Sequence, residues 1–225
     1  MTKKAKLEIA CFTVSAALIA QKNGADRVEF CDGILVGGST PDSGTTELLL
    51  SAFDIDLFVM IRPRGGNFVY SEFEFKQMKS DISAFKKSGV NGFVFGILDK
   101  NNRVNTAQNK ELVELAYPLP CTFHRAFDEV AHPLQSLEDV IQCGFTTILT
   151  SGQAPNVVVG VDQIARLVEV ANNRIEIMPG GGLRSENIDF IKQKTKAAFY
   201  HSSAIMDKGE LPDSFEIIAL KSKLQ

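Results

Sequence analysis

The sequence predicts an α/β protein, a single (β/α)8 TIM barrel over residues 1–225. Three observations carry this. The length of 225 residues lies in the roughly 200–250 that one such barrel occupies. Eight short β-branched or aromatic runs alternate with eight helix-like runs. A recurring phrase also puts a glycine at the end of a helix, just ahead of the next strand: Gly24-Ala25-Asp26-Arg27-Val28, Gly89-Val90-Asn91-Gly92-Phe93 and Gly144-Phe145-Thr146-Thr147-Ile148.

Taken in order, strands are expected at 7–11, 27–31, 57–62, 93–97, 121–124, 146–150, 174–178 and 197–201. Helices are expected near 13–23, 44–52, 72–88, 106–116, 133–143, 156–172, 185–194 and 213–221. Units of about 28 residues leave little room for a second domain, and strands joined by helical crossovers run parallel. The rival is a doubly wound open sheet. Its G-x-G-x-x-G fingerprint is absent, because Gly180-Gly181-Gly182 follows the seventh strand and not the first.

A hydrophobic content of 44% with 23% charged residues excludes disorder as a reading of the whole chain. Lys and Arg number 24 against 27 Asp and Glu, a net charge of -3, so the basic excess of a nucleic-acid binder is missing. Cys11, Cys31, Cys121 and Cys143 form no C-x-x-C pair, which fits a reduced cytoplasm. Lys3, Lys4 and Lys6 ahead of the small apolar run Ile9–Ala20 imitate a secretory leader. Glu8, Thr13 and Ser15 interrupt it, and Gly24-Ala25-Asp26 leads into another strand, so the segment reads as the first β/α unit. No apolar stretch reaches ~18 residues, and no membrane span is expected.

In a closed parallel barrel one face of each strand packs under helices and the other enters the barrel. The period of two turns Glu8, Glu29, Arg62, His124, Glu176 and His201 inward, with Cys31 on the face of Glu29. Six ionisable positions from six strands are many for an interior that favours branched apolar residues. Two readings follow: an ion-pair layer in which Arg62 and the histidines satisfy the glutamates, or a polar site at the mouth. Gly181 and Gly182 after the seventh strand and Ser202 after the eighth stand where many barrels hold a phosphate. Arg62, Arg64 and Arg125 would suit such an anion, or would neutralise the glutamates.

The segments Glu8-Ile9-Ala10-Cys11, Gly24-Ala25-Asp26-Arg27-Val28-Glu29-Phe30-Cys31, Met60-Ile61-Arg62-Pro63-Arg64-Gly65-Gly66, Thr122-Phe123-His124-Arg125-Ala126-Phe127-Asp128, Leu149-Thr150-Ser151-Gly152-Gln153 and Pro179-Gly180-Gly181-Gly182 resemble the CutC copper homeostasis protein family over residues 5–206. The resemblance implies a cytoplasmic TIM barrel, a homodimer or higher homo-oligomer, with a link to copper and no established reaction. For Cu(I), a soft ion, the sequence offers Cys31 and Cys11, with His124 and His201 as imidazoles. The strand phase turns Cys11 outward, and Ala10 stands where some relatives have a second cysteine. The other expectation is an enzyme acting on a small anionic or phosphorylated metabolite. There Glu29 is the general base, His124 the acid or proton shuttle and Arg62 the anchor; Glu8, Arg64, Arg125, Glu176, Gly181, Gly182, His201 and Ser202 line the substrate site.

Overall fold

The computed structural model describes residues 5–225; Lys3 and Lys4 lie outside the described residues. Strands β1 (Lys6–Cys11), β2 (Arg27–Phe30), β3 (Asp56–Met60), β4 (Gly92–Phe95), β5 (Cys121–Phe123), β6 (Thr147–Thr150), β7 (Glu176–Pro179) and β8 (Phe199–Ser202) alternate with helices. The helices are α1 (Val14–Lys22), α2 (Ser43–Leu50), α3 (Glu72–Ser88), α4 (Thr106–Ala116), α5 (Pro133–Cys143), α6 (Val161–Ala171), α7 (Ile188–Thr195) and α8 (Ser214–Leu224). All eight strands are parallel, in the order β7-β6-β5-β4-β3-β2-β1-β8, and form a nearly closed TIM-like barrel.

The recurring glycine phrase has a mechanical cause. Gly24, Gly89 and Gly144 have φ of 97°, 91° and 92°, a left-handed turn that ends each helix and aims the chain at the barrel. Helix starts are fixed by side-chain caps: Thr13 on α1, Asp42 on α2, Asp213 on α8, and a Ser71/Glu74 capping box on α3. Between strands and helices lies one continuous apolar layer that includes Leu7, Ile9, Cys11, Val28, Phe30, Val59, Phe93, Phe95 and Phe123. Inside the barrel the apolar part is small: Cys31, Phe58, Met60 and Val94 on one side, Leu149, Met178 and Phe199 on the other.

Several element bounds shift from the sequence expectation by two residues or more, and two of these shifts have a visible local cause. Strand β7 starts at Glu176 and not at 174, because Asn172 and Asn173 turn left-handed (φ 46° and 60°) and the Arg174 N–H bonds back to Ala171. Helix α6 starts at Val161 and not at 156, because the Asn156 side-chain Oδ1 accepts from the N–H groups of Val158 and Val159 and holds a turn there. Two short 3-10 turns, Ile34–Val36 after β2 and Arg125–Glu129 after β5, were not foreseen.

The β7 shift decides the place of Glu176. It sits at the N-terminal end of its strand, opposite the mouth, and accepts the Ala198 N–H at 3.3 Å. Its carboxylate bridges the seam between β7 and β8, where no ladder runs among the described residues. The expected substrate role for Glu176 is therefore replaced by closure of the barrel floor.

Loop packing near the mouth is tight. A Cβ on Gly160 would run into the Ser151 carbonyl, while its φ of -87° suits any residue, so the constraint is steric. Gly160→Ala is expected to lower unfolding stability by about 1–3 kcal/mol, read as a drop in urea midpoint with an unchanged m-value.

Candidate active site

Register explains how the interior charges meet. Glu8 on β1 pairs with Arg27 on β2 on one side and with His201 on β8 on the other. Neighbours in register lie one strand spacing apart and point the same way. Glu8, fully buried, accepts from Arg27 Nε through Oε2 and from His201 Nδ1 through Oε1, the latter at 2.7 Å. Arg27 lies between two rings, with its guanidinium carbon 4.0 Å from the Phe58 centroid and 4.1 Å from that of Phe199. Its Nη2 meets Met178 Sδ at 3.6 Å.

One layer nearer the mouth stands Glu29. His201 Nε2 lies 3.9 Å from its Oε2, and its Oε1 is buried without a partner. Burial pushes the Glu29 carboxyl up to about 7, reinforced by the charge of Glu8 and opposed by His201 and Arg27. Burial also acts against the Glu8 carboxylate, but the Arg27 charge and the His201 hydrogen bond outweigh it and hold Glu8 below the usual range. Burial disfavours the His201 imidazolium; the hydrogen bond to Glu8 and the charges of Glu29 and Glu8 outweigh this and raise it.

Above this floor opens a cavity of about 520 Å³, lined by Ala10, Glu29, Arg62, His124, Arg125, Gly181, Gly182, Arg184, His201, Ser202 and Ser203 among others. Ala10, one inward step above Glu8, is small and leaves the floor open. On the β7–β8 side, the N–H groups of Gly181, Gly182 and Ser203 have no acceptor among the described residues. Arg184 flanks them, held by Leu183 O, Ser202 Oγ and Ile205 O. The Ser202 hydroxyl donates to Leu183 O and accepts from Arg184 and the Ala204 N–H, so it braces the cradle instead of reaching a ligand.

The remaining expected residues divide. Arg125 is at the mouth, tied to Asp128 at 2.7 Å and to Ser151 at 2.9 Å. Arg62 lines the cavity with three of its five N–H donors already used: Nη1 donates to Val36 O and Gly38 O and Nη2 to Gly66 O, which leaves the buried Nε–H and one Nη2–H. Arg64 is outside the cavity, bonded to Glu74, Asn67 and Val69 O and stacked on Tyr70. His124 Nδ1 accepts the Ala126 N–H at 3.3 Å, which puts the ring proton on Nε2, where it has no partner. Burial, then the Arg62 charge, lower His124 to about 3, which favours a neutral N–H donor over the charged ring.

Sequence reasoning missed Arg27, Asp128 and Arg184. The signal for Arg27 was present, since 27, 29 and 31 share one strand phase. Asp128 gathers Thr150 Oγ1, the Ser151 and Gln153 N–H groups and Arg125, locking the loop after β5 to the end of β6. Nothing in the local pattern marks Arg184.

Copper was tested against this donor set. Cys11 belongs to the layer beneath the helices and Cys31 to the barrel interior, so the two thiols do not form a pair. Burial, then the Glu29 charge, push both thiols well above their ordinary range. Among the described residues the one compact group of metal-capable atoms is Glu8, Glu29 and His201, two hard carboxylates and an imidazole. That set does not fit soft Cu(I).

Fold and site together define a (β/α)8 barrel with a polar mouth. The chain belongs to the CutC family, whose pattern it matches over residues 5–206. It is 41% identical over 198 residues to the human copper homeostasis protein cutC homolog, covering 88% of this chain and 72% of that one. It is 44% identical over 201 residues to a family protein CutC of Parabacteroides distasonis, covering 88% and 82%. A solved Streptococcus agalactiae chain assigned as copper homeostasis protein CutC superposes with a TM-score of 0.84 at 36% identity, covering 88% and 98%. Phosphoribosylanthranilate isomerase of Thermotoga maritima (TM-score 0.65, 14% identity, 98% of each chain) shares the barrel alone.

Two measurements check this geometry. Arg27→Met strands a buried carboxylate and is expected to cost about 3–5 kcal/mol in urea unfolding, with part of the loss recovered when Glu8→Leu is added. Glu29, with its folded value raised to about 7 from 4.5, favours folding while protonated, and that contribution is lost as pH rises through 7. Glu29→Gln is therefore expected to be more stable than the parent at pH 8, on the order of 1–3 kcal/mol, with the gap closing by pH 5.

Proposed function

We propose that this chain, a member of a family named for copper homeostasis, acts in the cytoplasm as a barrel-mouth enzyme that moves a proton on a small anionic metabolite, a phosphorylated one fitting best. The observation that carries this is Glu29, a buried carboxylate on the cavity floor with one oxygen unpartnered. Its value near 7 suits a base that must be partly ionised at neutral pH. The N–H groups of Gly181, Gly182 and Ser203, with Arg184 and Arg125 beside them, hold the anion. Glu29 takes the proton, and the neutral Nε2–H of His124 hydrogen-bonds an oxygen that gains charge. No charge step requires Arg62; it shapes the wall. Exposed Leu48, Phe73 and Phe215 on the helical exterior support assembly into a homodimer or larger ring of copies.

A second reading, Cu(I) binding, is favoured by the place of Cys31 in the barrel interior beside Met60 and by the names of the relatives. It needs the thiol to ionise against the Glu29 charge.

Thermal-shift titration separates the two. Inorganic phosphate and sugar phosphates are expected to raise Tm, with the rise lost in Arg184→Ala and kept in Glu29→Gln; solvent-deuterium incorporation into a bound sugar phosphate is expected only with Glu29 intact. Absence of any rise with phosphates, together with stoichiometric anaerobic Cu(I) uptake that disappears in Cys31→Ser, would replace the enzyme reading by the copper one.

A further inference from the structure

Resting on the assignment of Glu29 as the base, we propose that Arg27, Glu8 and His201 form a positioning line that presents an imidazole N–H to Glu29 and lets the pair hold one proton between them. Arg27 and Glu8 do not line the cavity; they position His201, and their charges also reach Glu29 directly, Glu8 raising it and Arg27 lowering it. The line is built in order from the floor. The Phe58 and Phe199 rings clamp the guanidinium at 4.0 and 4.1 Å, which fixes the donor edge toward Glu8. Glu8 spends one oxygen on Arg27 and the other on His201 Nδ1 at 2.7 Å, which sets the ring plane. Nε2 is then turned to Glu29 at 3.9 Å, a span that closes to a hydrogen bond when the carboxylate carries charge.

The groups facing this pair are few. Glu8 comes from β1, and Arg27 and the Cys31 thiol come from β2; these are the charged or titratable groups that act on the pair. Glu29, Glu8 and His201 are 4%, 0% and 8% exposed, so a proton on the pair is shielded from bulk water. During transfer a Glu29 O–H bond forms as a substrate C–H or O–H bond breaks, with the bonding electrons left on the substrate. The same O–H bond breaks when the proton is returned, and nothing is oxidised or reduced. Shielding slows exchange with solvent without stopping it, so some of the protons return to the substrate, which points to an isomerisation or epimerisation and away from hydrolysis.

Imidazole-ring NMR on the ligand-free chain tests the line, because there are only three histidines, His124, His132 and His201. His201 is expected to carry protons on both ring nitrogens at pH 6.5 and to titrate above an ordinary histidine. Glu8→Gln is expected to lower its midpoint by at least one pH unit and to remove the slowly exchanging Nδ1–H signal. Glu29→Gln should lower the midpoint but keep that signal, and His132 should move in neither variant. A His201 that is neutral at pH 6.5 in the parent chain overturns the proposal even if Glu8→Gln fails to fold; so does a midpoint that ignores both substitutions. The titration needs no ligand. A chain that binds no phosphate yet shows the His201 signature loses the anion-enzyme reading while the charge line stands, and phosphate binding without the signature does the reverse.

Discussion

Glu8 is a carboxylate with no access to water, and the barrel interior is arranged around answering it. A buried charge without partners is strongly destabilising, and register supplies two partners at once, Arg27 on β2 and His201 on β8. Those contacts consume both oxygens of Glu8 and commit three neighbouring strands to one lateral alignment, since a slip by one residue would turn the charges under the helices. The apolar clusters of the interior follow from this. Phe58 and Phe199 are spaced to hold a guanidinium between them, and Met178 offers its sulfur to the same group.

The layer above is polar for a different reason. Glu29 has no guanidinium partner; its nearest countercharge is a histidine already held by Glu8. Cys31, on the same face, is kept as a thiol by burial and by Glu29. The proton-transfer role proposed above rests on this layer. The soft-ligand geometry suggested by the family's association with copper is not what these side chains assemble, although the membership itself is plain from residues 5–206.

Most of the architecture was legible because its signals are local. Apolar runs, glycine helix stops and unit length locate all eight strands and eight helices, and the period of two turns Glu8, Glu29, His124 and His201 inward as found. The failures are where lateral register or loop geometry decides. Arg27 follows a turn phrase and reads as part of it, and only the pairing with Glu8 reveals its role. Glu176 shares the inward phase, but the left-handed turn at Asn172 and Asn173 places it at the floor. Arg64 belongs to the same motif as Arg62 and turns the opposite way, to Glu74 on α3. The tautomer of His124 depends on a single main-chain N–H, and its protonation state on burial and the Arg62 charge, none of which a residue pattern encodes.

Arg62 carries a separate consequence. Its guanidinium joins the segment after β2, at Val36 and Gly38, to the segment after β3, at Gly66, and every acceptor is a main-chain carbonyl. Apart from the Phe68 ring, whose centroid lies 4.9 Å from the guanidinium carbon, the clasp reads only backbone oxygen and is blind to most side chains it fastens. Substitution can therefore recolour this rim, altering which molecules are admitted, without unhooking either segment from the other.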